Sequence, residues 1–209
     1  MKNKDRMALK RHAMPMVDMH TRTHDRIQEV AQGFTLEMAM DEARRCIDCA
    51  KPTCREGCPI HMNIPAFIKN IERGEILAAD RVLKQYSSFS AICGRVCPQE
   101  KQCEGHCIHV KMKDAPVAIG PLERFVADYE RQSVKKVTWD VAPANGIKVA
   151  IIGSGRALPL RARWPRRALS PTSSRPSISS AACSTTASRS IVCRTRSWTM
   201  SSTCSAPWA

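Results

Sequence analysis

The sequence has no long apolar run, and its first residues lack the continuous hydrophobic core that a secretory signal peptide needs. A transmembrane helix takes about 20 consecutive, mostly apolar residues, so this absence argues against a membrane-spanning segment. We therefore expect a cytoplasmic protein with no membrane partner. In the reducing cytosol, dense cysteine indicates metal binding or redox chemistry rather than disulfides.

The end of the chain lacks most polar residue types. Residues 156–209 contain 13 Ser and nine Arg, but no Gly, Lys, Asp, Glu, Asn, Gln, His, Phe or Tyr. No helical or strand period persists there, so we predict an aberrant, disordered tail over 156–209. Because this tail carries much of the net charge of +14, we do not interpret the charge as a nucleic-acid-binding surface.

Cysteine is what the chain has in excess, and eight of its 11 cysteines lie between Arg45 and Cys107. They form two runs, Cys46-x2-Cys49-x4-Cys54-x3-Cys58 before Pro59, and Cys93-x3-Cys97-x5-Cys103-x3-Cys107 with Pro98 after Cys97. A [4Fe–4S] cluster normally takes four thiolate ligands, so the runs predict two iron–sulfur clusters. A cysteine directly before proline often ligates the other cluster of a pair.

Other interpretations of the same cysteines stay open. A structural zinc site usually takes two C-x2-C knuckles, and only Cys46 and Cys49 have that spacing. Disulfides are the second alternative. Cys93 can be an ordinary small core residue, since free cysteines are commonly buried, which would leave seven thiolate ligands.

Apolar periodicity predicts a mainly α fold around these runs. We expect a helix that begins after Thr35, with Leu36, Met40 and Ala43 on one face. Two further helices, over 64–71 and 76–86, form a hairpin about Arg73-Gly74-Glu75, and a last helix covers 116–129. Residues 1–33 are predicted to form an extended arm that docks on a neighbour.

The run Ile147-Lys-Val-Ala-Ile-Ile-Gly153-Ser-Gly155 is typical of a buried strand followed by a glycine turn. Such a turn begins a dinucleotide-binding βαβ unit of the Rossmann type, so Gly153 and Gly155 are candidate cofactor-binding residues. The predicted plan is an arm (1–33), a helical iron–sulfur domain (34–134), a linker (135–146), an incomplete Rossmann unit (147–155) and the tail.

Four motifs in order make a resemblance specific: Cys46-Ile-Asp-Cys49, Cys54-x3-Cys58-Pro59, Cys93-Gly-Arg-Val-Cys97-Pro98 and Cys103-Glu-Gly-x-Cys107. Over about 28–155 the chain resembles the N-terminal domain of the glutamate synthase small (β) subunit, a module shared with dihydropyrimidine dehydrogenase. The resemblance implies a helical domain with two [4Fe–4S] clusters and crossed ligation. It assigns Cys46, Cys49, Cys54 and Cys107 to one cluster, and Cys58, Cys97, Cys103 and Glu123 to the other. Without the resemblance, Glu123 would be interpreted as a solvated helix residue, with Cys93 in its place.

The function implied by the resemblance is oxidoreductase electron transfer. Full-length members take hydride from NADPH onto FAD and pass electrons through the clusters to a large (α) subunit, where glutamate is made. Two alternatives remain, namely a subunit of another NAD(P)H-dependent, pyrimidine-reducing oxidoreductase and a zinc-stabilised interaction module. No residue of this chain is assigned a catalytic role.

The chain departs from the family after Gly155. The family continues Gly-Ser-Gly-Pro-Ala-Gly-Leu, whereas this chain reads Gly153-Ser-Gly155-Arg156-Ala-Leu158, and the third glycine is missing. Shifted-frame codons along the tail can recover family motifs in order, so we infer a frame shift just after Gly155. We therefore expect the chain to lack FAD and NADPH sites and to be inactive alone, with no role for Cys183, Cys193 or Cys204.

Overall fold

The computed structural model describes residues 2–25, 27–133 and 143, and the backbone of the strands at 148–151 and 170–173. The described elements, in chain order, are α1 (Asn3–Met7), α2 (Met19–His24), α3 (Leu36–Arg44), α4 (Thr53–Glu56), α5 (Ile64–Glu72), α6 (Ile76–Tyr86), α7 (Ser90–Val96), α8 (Ile108–Lys111), α9 (Ile119–Ser133), β1 (Lys148–Ile151) and β2 (Ser170–Ser173). The mainly helical prediction is confirmed for the cysteine-bearing part. Among the helices in these ranges, none is long and apolar enough to cross a bilayer.

The core lies where α3, α5, α6 and α9 meet. Its largest completely buried aliphatic and aromatic side chains come from α5, α6 and α9. They are Ile64, Phe67, Ile68, Ile71, Leu83, Leu122 and Val126. Burying one such side chain stabilises the fold by about 1.5–3 kcal/mol, so this helical layer is a rigid support for the loops that carry the cysteines.

The hairpin of α5 and α6 forms as the sequence predicts. Pro65 lies in the first turn of α5, where a missing N–H costs no helical hydrogen bond. Gly74 has φ +80, and its N–H binds the Ile71 carbonyl at 2.9 Å while the Glu75 N–H binds the Asn70 carbonyl at 2.9 Å. This glycine-dependent C-cap ends α5 and reverses the chain.

Helix α3 is confirmed, but its buried face matches the predicted apolar face only in part. Thr35 caps the helix, since its side chain accepts from the Met38 N–H, yet Leu36 is 45% exposed. The buried side chains are Ala39, Glu42 and Ala43, and of these only Ala43 belongs to the predicted face. The face is rotated because Glu42 is held inside the protein by polar partners, which an apolar pattern does not reveal.

Helix α9 begins at Ile119, three residues after the predicted start, and extends four residues beyond the predicted end. Five shorter helices, α1, α2, α4, α7 and α8, lie in segments for which the sequence gives no helical prediction. Each is seven residues or fewer, too short to show an apolar period.

The N-terminal segment differs from the predicted arm. It contains α1 and α2, and it docks on the helical domain of its own chain. Arg6 pairs with Glu72 at 2.6 Å and Arg11 with Glu104 at 2.8 Å. The shielded carboxylates of Glu72 and Glu104 thus hold the N-terminal segment on the domain. The segment has few apolar residues that could do so.

Strand β1 lies within the run predicted as a strand and pairs in parallel with β2, in the register Lys148 to Ser170. Strand β2 falls inside the tail predicted to have no regular structure, and backbone pairing of this kind needs no side-chain period. Gly153, Gly155 and most of the linker and tail lie outside the described residues. The nucleotide-binding unit therefore stays a prediction.

Candidate metal centre

One group of cysteines lines a single pocket beside α5. Cys46 and Cys49 follow the end of α3, Cys54 lies in α4, and Cys107 precedes α8. The pocket is partly open to solvent, and its other walls include Ile64, Ile68, Val117 and Ile119. We call Cys46, Cys49, Cys54 and Cys107 the first group; the structure brings together the four residues assigned to one cluster.

The cysteines of the first group are close enough to affect one another's pKa. Burial, together with the charges of Cys46, Cys107 and Cys49, raises the pKa of Cys54 to about 12. Burial also raises the pKa of Cys46 to about 11, against the effect of a backbone N–H and of Lys69. Without a cation these thiols hold their protons, so a metal that binds here must displace them.

Backbone N–H groups point at the sulfurs. The N–H of Asp48 binds the Cys46 sulfur, and that of Arg55 binds the Cys54 sulfur. Asp48 has φ +54, a left-handed conformation that turns the chain tightly between Cys46 and Cys49. Hydrogen bonds to cluster sulfur are one way in which proteins tune iron–sulfur centres.

The second group comprises Cys58, Cys97, Cys103 and Glu123. Burial raises the pKa of Cys97, and the charges of Glu123 and Cys58 add to the rise. Burial likewise raises the pKa of Cys103, together with the charges of Glu104, Cys58 and Glu123. Three thiols and one carboxyl from different parts of the chain therefore lie near one another.

Glu123 is the unusual member of the second group. It lies in the first half of α9 with 7% of its surface exposed, and its Oε1 has no hydrogen-bond partner among the described residues. Burial raises the pKa of this carboxyl to about 8. A buried carboxyl oxygen without a donor is costly, and a metal ligand bond would satisfy it.

Cys93 lies next to the second group. Burial raises its pKa to about 12, with the charges of Glu123 and Cys97 adding to the rise. Its S–H donates to the sulfur of Cys97, the residue directly after α7, and Ser87 donates to Cys93. The structure thus places both candidates for the fourth position, Glu123 and Cys93, beside the same cysteines.

A buried polar network supports the first group, and the sequence does not reveal it. Arg45 is completely buried; it pairs with Glu42 at 2.8 Å and donates to the Pro116 carbonyl at 2.9 Å. His109, which lines the pocket, bonds Asp114 at 2.9 Å and the Arg45 carbonyl at 3.2 Å. The one sequence feature that could have indicated this network is the position of Arg45 directly before Cys46.

The part of the chain that carries the two cysteine runs matches a known protein family. The sequence model of the family described as dihydropyrimidine dehydrogenase domain II, 4Fe-4S cluster, matches residues 22–135, more than half of the chain. The chain belongs to this family. The predicted resemblance and the iron–sulfur character of the domain are therefore confirmed.

Several curated proteins are similar over the same part. The chain is 36% identical over 131 residues to the "NAD-dependent dihydropyrimidine dehydrogenase subunit PreT" of Escherichia coli (strain K12), which covers 63% of this chain and 31% of that protein. It is 35% identical over 133 residues to the "Glutamate synthase [NADPH] small chain" of Azospirillum brasilense, covering 62% of this chain and 27% of the relative. The same chain of Escherichia coli (strain K12) is 35% identical over 129 residues, covering 62% and 27%. The matches span less than a third of each relative.

The residues present fit the [4Fe–4S] clusters that characterise this family. Within residues 2–25 and 27–133, no three Cys, His, Asp or Glu side chains converge as they would around one ion. A cube has four separate irons, so its protein ligands need not converge on a point. Soft thiols are the ligands that such a cluster normally uses, and N–H groups near the sulfurs can tune it. The unpartnered Glu123 oxygen is a further donor available beside the second group.

Proposed function

We propose that this chain binds two [4Fe–4S] clusters with crossed ligation. Cys46, Cys49, Cys54 and Cys107 hold one cluster, and Cys58, Cys97, Cys103 and Glu123 hold the other. The crossing is supported by the grouping of Cys107, from the second run, with three cysteines of the first run. Cys58, which precedes Pro59, is likewise grouped with the second run.

The unpartnered Oε1 of Glu123 is the observation that carries the ligand assignment. No contact among the described residues explains why this carboxyl is buried beside the thiols of the second group. As a ligand it completes a set of four for the second cluster. Cys93 then remains a thiol that donates to the Cys97 sulfur.

The two clusters relay electrons in an oxidoreductase. We propose that the chain derives from the small subunit of an NADPH-dependent glutamate synthase, in which electrons pass from NADPH through FAD and the clusters to a large subunit. Similarity to small chains of that name supports this assignment. In this view the protein acts in the cytoplasm, and the chain as it stands holds clusters without binding FAD or NADPH.

A second candidate is a subunit of a pyrimidine-reducing enzyme. The specific observation in its favour is the equal similarity to a relative named as a dihydropyrimidine dehydrogenase subunit. A binding assay distinguishes the two. The reconstituted chain should bind an isolated glutamate synthase large subunit and not a pyrimidine-reducing catalytic subunit; the reverse preference favours the second candidate.

Anaerobic reconstitution with iron and sulfide tests the cluster assignment itself. The purified chain should turn brown and contain about eight irons and eight sulfides, the number for two cubes. A colourless protein that contains zinc after expression, and that takes up no iron, would contradict the proposal and favour a zinc-stabilised interaction module.

A further inference from the structure

Two cationic side chains bind the main chain of Cys46. The carbonyl oxygen of Cys46 accepts from Lys69 Nζ at 3.0 Å and from Arg6 Nη1 at 3.3 Å. Glu72 holds both cations, since its Oε1 lies 2.6 Å from Arg6 Nη2 and its Oε2 lies 2.8 Å from Lys69 Nζ. We call Arg6, Lys69 and Glu72 the cationic brace; it has a formal charge of +1.

The brace joins two distant parts of the chain. Lys69 and Glu72 lie on α5, while Arg6 comes from α1, outside the residues that match the family. Arg6 also donates to the Arg44 carbonyl at 2.8 Å, at the end of α3. Helix α1 is thereby fixed over the point where the chain leaves α3 and enters the first group.

The brace is shielded from solvent. The side chains of Arg6, Lys69 and Glu72 are only 12%, 18% and 19% exposed. Charges in such a setting interact more strongly, and are screened less by salt, than charges on an open surface. Their net positive charge therefore acts directly on Cys46, whose carbonyl oxygen both cations bind.

A positive field has a definite effect on an electron carrier. Reduction adds one electron to a cluster and makes it more negative, so a nearby cation stabilises the reduced form and raises the reduction potential. Net charge and hydrogen bonding around the sulfurs are established determinants of cluster potential.

We propose that Arg6 and Lys69, held in place by Glu72, are positioning residues that raise the reduction potential of the first cluster. The inference rests on the proposed function, because it needs a cluster on Cys46. It gives α1, which lies outside the family match, a specific role in this chain.

The test measures potentials rather than activity. The full 209-residue chain is reconstituted anaerobically, and each cluster is titrated with dithionite while its electron paramagnetic resonance signal is followed. Lys69→Met and Arg6→Met should each lower the potential of one cluster and leave the other unchanged. Glu72→Gln removes a negative charge and should raise the potential of that same cluster.

Opposite signs separate electrostatics from structural damage, because damage has no reason to follow the sign of the lost charge. Arg131→Met is the matched control: it removes the same charge from a side chain that is 65% exposed at the end of α9, and should move neither potential. If Lys69→Met takes up no iron, Lys69→Arg and Glu72→Gln still decide the question, since Lys69→Arg should keep the wild-type potential.

Two failures are distinguishable. Wild-type protein that takes up no iron contradicts the proposed function. Full iron uptake by all variants with unmoved potentials, or with shifts of one sign for Lys69→Met and Glu72→Gln, contradicts the brace alone.

Discussion

Gly94 lies in direct contact with the backbone of Arg124. A Cβ built on Gly94 would stand 2.6 Å from the Arg124 nitrogen and 2.7 Å from its Cα, closer than real Cβ atoms approach. Helices α7 and α9 therefore meet at a distance that only glycine permits. Since Cys97 follows Gly94 by three residues and Glu123 precedes Arg124, this contact brings the two sides of the second group together.

Gly94→Ala should disrupt the second group selectively. The added methyl group forces α7 away from α9, and overpacking of this kind typically costs about 1–3 kcal/mol. We expect the iron content after reconstitution to fall from about eight to about four, because the first group does not depend on this contact. Iron analysis and visible absorption measure the loss.

Gly74→Ala is the matched control for that change. Gly74 needs its glycine for φ +80, while a Cβ there would meet only the end of Met40, at 3.9 Å. The variant should lower the free energy of unfolding by about 1 kcal/mol and still take up the full complement of iron. If both glycine variants lose iron equally, the effect of Gly94 is one of general stability.

The sequence predicts the parts of the fold that depend on periodic apolar residues. Phe67, Ile68 and Ile71 specify α5 because their spacing matches one helical face, and Gly74 ends it for a local reason. Helix α7 could not be predicted, because Gly94 favours no helix by itself and is positioned by packing against Arg124. The buried face of α3 was predicted only in part because Glu42 is buried by polar partners.

The cysteine groups were predictable only in part. Spacing identifies the ligand type, but simple order along the chain would place Cys58 with Cys46, Cys49 and Cys54. In the structure Cys107 instead shares a pocket with these three cysteines. The proline after Cys58 is the one local signal for such an exchange, and it does not identify Cys107 as the replacement. Glu123 was found through family resemblance, whereas its burial and its unpartnered oxygen emerge only from the packing of α9.

Glu42→Ala should be strongly destabilising. Glu42 Oε1 accepts from Arg45 Nη1 at 2.8 Å and from the Ala118 N–H at 2.9 Å, and Oε2 accepts from the His12 N–H at 2.8 Å. Its loss leaves a buried guanidinium and two N–H groups without this partner. Breaking a buried ion pair in this way costs about 3–5 kcal/mol, which urea denaturation would detect.

Asp41→Ala supplies the comparison on the same helix. Asp41 pairs with Arg44 at 2.5 Å, but both side chains are about half exposed. Exposed pairs of this kind contribute about 0–1 kcal/mol, so the unfolding midpoint should move little. Equal losses for Asp41→Ala and Glu42→Ala would show that burial of the Glu42 pair adds nothing.

Docking of α1 should depend on pH through Glu72. Burial opposes ionisation of Glu72, but the hydrogen bonds from Arg6 and Lys69 outweigh it and hold the pKa below its ordinary value of 4.5. A carboxyl with a depressed pKa stabilises the folded state above the ordinary value, and this contribution is lost as pH falls through the folded-state pKa. Amide chemical shifts of α1 in the metal-free protein should therefore change below pH 4.5.

Glu72→Gln provides the control for this titration. The amide keeps the shape of the side chain but cannot ionise, so the transition in the α1 shifts should disappear. A transition of unchanged midpoint in Glu72→Gln would assign the pH dependence to another carboxyl, such as Asp114, whose pKa is lowered by its hydrogen bond with His109.

Glu123→Ala should remove a single ligand from the second cluster. Three thiolates remain, and the iron that Glu123 holds then has no protein ligand. We expect reconstitution to yield about seven irons instead of eight, with a three-iron signal in the oxidised protein. Glu123→Gln, whose amide oxygen occupies the same position, should retain more of the fourth iron. Glu130→Ala, on the same helix but paired with Lys84, should leave the iron content unchanged.

The decisive comparison is Cys93→Ser. If Glu123→Ala keeps eight irons while Cys93→Ser loses one, the fourth ligand is the thiol that hydrogen-bonds Cys97, and Glu123 is a buried neighbour.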